Sequence, residues 1–354
     1  MKLLERELYF DALGSALGGV AKGSGCITLL WGEAGIGKTS LIQEFTARQR
    51  VAARVLWGGC EALFTPHPLA PLYDIARQAG EEFRSAIAAA SQRDVIFNTT
   101  VDHLARGPSP TIVVFEDVHW ADEATLDLIK FLGRRLQRLG VMLIISYRDD
   151  EVGPNHPLRS VLGDLPSGCI HRIALPPLTE SAVATLAGNA GRQPTGLHEV
   201  TGGNPFFVTE ALAMTEERVP ATVRDAVIAR IARLSATARE IANLVSIVPG
   251  KTEKWLLGRT VEVTGSAMEE CLRAGMVAHG DQSLAFRHEL SRRAVEESLP
   301  LPLRQALHTR ILSALLDHGV EAEMPVARVV HHADKAGDSA AVLRFAPAAA
   351  ERAS

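Results

Sequence analysis

The stretch CITLLWGEAGIGKTSLIQEF, Cys26 to Phe45, decides the fold. An apolar, β-rich run from Cys26 to Trp31 enters Gly32, Glu33, Ala34, Gly35, Ile36, Gly37, Lys38 and Thr39, and a helix-like segment continues to Gln49. A G-x-x-x-x-G-K-T loop between strand and helix is a P-loop, which binds a nucleoside triphosphate. Its glycines let consecutive backbone N–H groups turn inward around phosphate oxygens. The following helix presents its positive end and unpaired donors to the same anion. Lys38 is placed to reach the β and γ phosphates, and Ser40 is counted with the loop as a binding residue. Thr39 supplies a hydroxyl for Mg2+, a hard cation that keeps several waters beside phosphate oxygens.

Outward from this loop, short apolar runs recur at 26–31, 54–58, 111–115, 141–146 and 169–175, separated by helix-period segments such as Glu123 to Leu136. That alternation predicts a parallel α/β sheet, whose buried strands read as continuous hydrophobic runs, here TIVVF and VMLIIS. The third run ends in Glu116 and Asp117. Carboxylates at the C-terminal end of a parallel strand face the ligand crevice of an open sheet, where one holds magnesium and the other orients an attacking water. His119 and Trp120, just beyond, are weaker candidates, and a tryptophan there more often packs than contacts ligand. Arg148 closes the fourth run, where it is either a γ-phosphate contact or a surface partner of Asp149 and Asp150.

The second half changes character. Pro176 and Pro177 end the sheet, and the pattern from Thr179 to Met214 is helical, broken by Gly202, Gly203, Asn204 and Pro205. This predicts a small helical lid. After Pro220 come two amphipathic helices, a third at Ser266 to Arg273, and two short strands, Met276 to Ala278 and Ser283 to Phe286, joined by the polar turn His279 to Gln282. Helices followed by a small hairpin predict a winged helix. From Pro302 onward the chain is helical, and Val326 to Ala336 with Ser339 to Arg352 reads as one helical hairpin. Solenoids need about three or more repeats, so a longer parent protein is expected. The expected division is 1–177 nucleotide-binding α/β domain, 178–219 lid, 220–300 winged helix and 301–354 helical region.

The 354 residues, 47% hydrophobic and 22% charged, are those of an ordinary globular protein with room for more than one core. The apolar runs are too short to cross a bilayer, and Glu5, Arg6 and Glu7 interrupt any signal peptide, so a cytoplasmic chain with no membrane partner is expected. Cys26, Cys60, Cys169 and Cys271 have no zinc spacing. His331 and His332 sit side by side on a helix, where neighbours point in different directions, which argues against a shared metal. A net charge of −4 gives no field that draws the whole chain onto nucleic acid.

GEAGIGKT, VVFEDVHWADEATL, ISYRDDE, TGGNPFFVTE and FRHEL, in that order over nearly the whole chain, resemble the nucleotide-binding core of STAND signal-transduction ATPases, specifically the large LuxR-type bacterial transcription regulators. The resemblance implies an AAA+/STAND-like five-stranded parallel sheet with the Arg148 strand between the P-loop and acidic strands, then a helical lid and a winged helix. It makes Pro205 the lid residue that packs on adenine, Arg148 the γ-phosphate sensor and His288 a winged-helix residue that reaches the phosphates. Arg6 matches the arginine of a Gly-Arg-Glu motif near the base, with Glu5 where the family has glycine. Glu116 stands where the family's magnesium-binding Asp does, and one added methylene at that position predicts slow hydrolysis. The implied function is an ATP/ADP switch, closed with ADP and self-associating with ATP, with DNA binding left to a further C-terminal domain.

Two other classes were weighed. A winged-helix AAA+ ATPase of the replication-initiator type requires basic residues on the wing, yet His279 to Ser283 has no Lys or Arg and the preceding helix carries Glu269 and Glu270 against Arg273. No direct nucleic acid contact is therefore expected from this segment. A metabolic P-loop kinase requires an acceptor pocket, and no sequence signal for one follows the sheet.

Overall fold

The computed structural model describes residues 3–61, 67–108, 110–213, 219–318 and 326–353. Met214, the expected end of the helical pattern within the lid, lies outside them. The chain separates into two compact units, Met1–Ala182 with Asn204–Phe206, and Val183–Gly203 with Phe207–Ser354.

The first unit is a five-stranded parallel sheet: β1 Cys26–Trp31, β2 Arg54–Gly59, β3 Thr111–Glu116, β4 Val141–Tyr147 and β5 Ile170–Ala174, in the order β2-β3-β4-β1-β5. The expected strands are all present, with ends shifted by a residue. β4 lies between β1 and β3, as the resemblance implied. Period-2 alternation divides each strand between two cores. Leu30, Ile112, Val114, Met142 and Ile144 pack with Leu13, Leu17, Leu41 and Phe45 from the helices Glu7–Ala21 and Lys38–Gln49. Leu29, Val113, Phe115, Leu143 and Ile145 pack with Leu72, Ile75, Leu128 and Leu158 from helices on the other face. Coverage on both faces explains why all seven β4 residues are buried and why the strand reads as an unbroken apolar run.

In the second unit, the helix Ala236–Ser246, β6 Thr252–Glu253, the helices Lys254–Thr260 and Gly265–Arg273, β7 Val277–His279 and β8 Ser283–Phe286 follow one another. The strands form a small antiparallel sheet ordered β6-β8-β7, the arrangement of a winged helix. β6 has two residues, too few for any periodicity to announce it. The helices Leu301–Asp317, Val326–Ala336 and Ser339–Ala353 follow. Among the described residues no helix is long and apolar enough to cross a membrane.

Leu143 on β4 has no solvent exposure. Leu143→Ala should cost about 2–5 kcal/mol through lost burial and a residual cavity. Urea denaturation followed by circular dichroism checks this, and an unchanged midpoint would contradict burial of the central strand on both faces.

Candidate nucleotide-binding site

Parallel strands deliver their C-terminal ends to one edge of the sheet. Pairing of Trp31 with Tyr147, and of Phe115 with Ile145, brings the loop after β1, Glu116 and Asp117 after β3, and Arg148 after β4 to that edge. Gly37 holds the turn into the helix Lys38–Gln49 at φ 96°, a left-handed conformation that glycine adopts without steric cost. No side chain caps the start of this helix, so its first amides keep their donors for an external anion.

Lys38 is 6% exposed, and its ammonium donates to the carbonyls of Gly32 at 2.7 Å and Glu33 at 3.0 Å. Burial lowers its pKa to about 8, opposed by Asp117, Asp150 and Asp149, while Arg148 lowers it further. Asp117 is pushed above the usual carboxylate range by desolvation, against the pull of Arg148 and Lys38. The Thr39 hydroxyl donates to Glu116 Oε1, and the Trp57 indole donates to Glu116 Oε2 at 3.0 Å. The carboxylate that the resemblance puts at the magnesium position is therefore joined to the Thr39 hydroxyl. Uncapped helix amides, a partly desolvated ammonium and a Thr–Glu pair fit the polyphosphate of ATP or ADP with Mg2+. That group would supply the anionic charge that Lys38 and the amides lack and a cation between Thr39 and Glu116.

Arg148 bonds Glu151 at 2.5 Å, and its guanidinium lies 4.6 Å from the Trp120 ring centroid. The Trp120 indole donates to the other Glu151 oxygen at 3.0 Å. Trp120 thus packs, as expected, while also holding the arginine. His119 is buried nearby, and desolvation lowers it to about 3, so it is neutral at pH 7.

Arg6 is buried and donates to the Ile36 carbonyl at 3.3 Å and the Pro176 carbonyl at 3.0 Å, which ties the P-loop to the segment after β5. Glu5, where the resembled family has glycine, adopts φ 55°. A left-handed glutamate is strained, but its carboxylate accepts from the Thr179 amide at 3.0 Å and the Thr179 hydroxyl at 2.5 Å, which holds the turn.

Asn204 was missed. Its side-chain amide donates to the Ala34 carbonyl at 2.9 Å and Glu33 Oε2 at 3.2 Å, its oxygen accepts from the Phe206 amide at 3.1 Å, and the Phe206 amide also donates to Gly35 at 3.2 Å. A Cβ on Gly35 would lie 2.7 Å from Phe206 Cβ, so this segment needs glycine there. Asn preceding Pro205 at the start of the helix Pro205–Ala213 is an N-cap signal that the sequence did offer. Glu151 and Trp57 had no such signal. His288 lies in the second unit, 8% exposed, with its ring 4.6 Å from that of Phe207.

Residues 2–145 match the AAA ATPase domain family. The loop, Thr39, Glu116 and Asp117 lie within this matched stretch. An uncharacterized protein of Rhizobium meliloti is 24% identical over 95% of this chain and 39% of its own length. The Walker-type ATPase of Pyrococcus abyssi shares the fold, with a TM-score of 0.59 and 14% identity over 83% of this chain and 96% of that one. A STAND protein with a tetratricopeptide repeat sensor from Pyrococcus horikoshii is 16% identical over 94% of this chain and 49% of that one, with a TM-score of 0.40. The chain therefore spans well under two thirds of the Rhizobium and P. horikoshii proteins.

Asn204→Ala removes both anchors of the Glu33–Ala34 turn and should cost about 1–3 kcal/mol. Hydrogen exchange of the P-loop amides should accelerate correspondingly, and unchanged exchange would contradict the clamp.

Proposed function

We propose that this chain is the switch module of a larger signal-transduction ATPase, closed with ADP and open for self-association with ATP. The observation that carries the reading is Lys38, a buried ammonium beside uncapped helix amides, with Thr39 and Glu116 joined next to it. In this reading the loop from Gly32 to Ser40 and Arg6 bind nucleotide, Thr39, Glu116 and Asp117 hold Mg2+, and Arg148 leaves Glu151 to meet the γ phosphate. Pro205 packs on adenine and His288 reaches the phosphates in the ADP state. Any shift between states is bounded by the difference in nucleotide affinity between them.

The proposed setting is the cytoplasm, and the effector, a transcription-regulating DNA-binding domain of the LuxR type, lies outside this chain. That part of the proposal is supported by the ordered motifs of the sequence. The 1–177, 178–219, 220–300 and 301–354 division belongs to the same reading. A replication-initiator role is disfavoured because the wing turn lacks Lys and Arg, and the nearby Lys254 ammonium is bonded to the Asp281 carbonyl at 2.9 Å.

Calorimetry of ATP and ADP binding tests the core of the proposal. Both should bind, Lys38→Ala should weaken them at least about tenfold, as expected for a charged hydrogen bond, and equal affinity in the variant would overturn it. The pH dependence has a definite sign. A bound phosphate favours charged Lys38, whose pKa in the free protein is about 8. Binding above that pH must take up a proton, so affinity should fall as pH rises past 8, by up to about tenfold per unit. A flat profile from pH 7 to 10 would contradict this.

Glu116 in the magnesium position predicts steady-state turnover below roughly one per second, low for an enzyme. A coupled phosphate-release assay checks it. His288→Ala should speed release of ADP, and unchanged release would count against its phosphate contact.

A further inference from the structure

Three histidines meet in the helical region. His308 lies on the helix Leu301–Asp317, and His331 and His332 lie on the helix Val326–Ala336. Adjacent helical residues diverge by roughly 100°, which is why the sequence argued against a common ligand for His331 and His332. In the structure a histidine from a second helix joins the pair. One ring nitrogen from each of the three lies within 4.8 Å of the others.

His308 and His332 have no solvent exposure, and His331 is half-buried. The Nδ1 atoms of His308 and His332 are 2.8 Å apart, which accounts for one shared proton. All three Nε2 atoms are buried with no hydrogen-bond partner among the described residues. The unpartnered Nε2 atoms of His308 and His332 lie on the ring edges away from the facing Nδ1 pair, so the Nδ1 atoms are the ones that converge with a nitrogen of His331.

We propose that His308, His331 and His332 bind a divalent transition-metal ion, with zinc the favoured occupant. The chemistry of the donors selects this class. Imidazole suits zinc, copper, nickel and cobalt, whereas magnesium and calcium require oxygen ligands. At Zn–N distances of about 2.0–2.1 Å, tetrahedral nitrogens stand about 3.3 Å apart. The close Nδ1 pair must open slightly and wider pairs must close, by shifts on the order of 1 Å that side-chain rotation supplies. Water completes the fourth position on the half-buried His331 side. The ion cross-links two helices of the second unit, so packing of the helical region becomes dependent on metal. This inference is independent of the nucleotide site.

The test uses the untagged full chain, stripped with EDTA and dialysed against Zn2+, with Ca2+ as control. One zinc per chain should be retained, thermal unfolding should shift upward, and Co2+ in its place should give the intense visible absorption of a four-coordinate site. His331→Ala and His332→Asn should each weaken zinc retention at least tenfold, because loss of a ligand should cost no less than the roughly 10–100-fold of outer-shell changes. Lys38→Ala should leave it unchanged. No retention beyond the Ca2+ control, or retention unaltered by both histidine variants (an adventitious ion only), would overturn the proposal. If His332→Asn fails to fold, His331→Ala and the Co2+ spectrum of the unaltered chain decide the matter.

Discussion

Lys38 is a cation that the fold withdraws from water. Its ammonium rests on two P-loop carbonyls while burial works against its charge, and three aspartates partly offset that cost. Two neutral carbonyls at 2.7 and 3.0 Å satisfy hydrogen-bond geometry without cancelling a full charge. The uncapped start of the same helix leaves further donors aimed at the same place. Much of the arrangement around the sheet edge can be understood as the support for this one under-compensated group.

That support comes from distant parts of the chain. Arg6 grips the Ile36 carbonyl from the N-terminal segment, and Asn204 grips the carbonyl of Ala34 from beyond the sheet. Glu116 is fixed by Trp57, and Arg148 is fixed by Glu151 and Trp120. Arg6, Asn204, Glu116 and Arg148 thus each have a partner that sets their position. Glu5 illustrates how local strain is tolerated: its left-handed backbone is held by two bonds to Thr179.

Local signals carried most of what the sequence revealed. The P-loop is contiguous, the strands are unbroken apolar runs, and the acidic pair sits at a strand end, so the sheet and the core of the site were legible. The insertion of β4 between β1 and β3 was implied by resemblance, since periodicity does not fix strand order. What escaped were partners made by a local turn or by long-range closure, and an element too short to show in the pattern. Glu151 folds back onto Arg148 by a turn, Trp57 reaches Glu116 across neighbouring strands, and β6 is too short to carry a pattern. The histidine cluster escaped for the same reason, because its third member is 23 or more positions away and joins the pair only when two helices pack.

The most direct test of the central claim is a crystal structure of the chain grown with ATP and Mg2+. The account predicts the triphosphate within the loop from Gly32 to Thr39, with the Lys38 ammonium moved from the carbonyls of Gly32 and Glu33 onto phosphate oxygens and the cation beside Thr39 and Glu116. Nucleotide bound elsewhere, or a loop that retains the Lys38 contacts at saturating ATP, would contradict it.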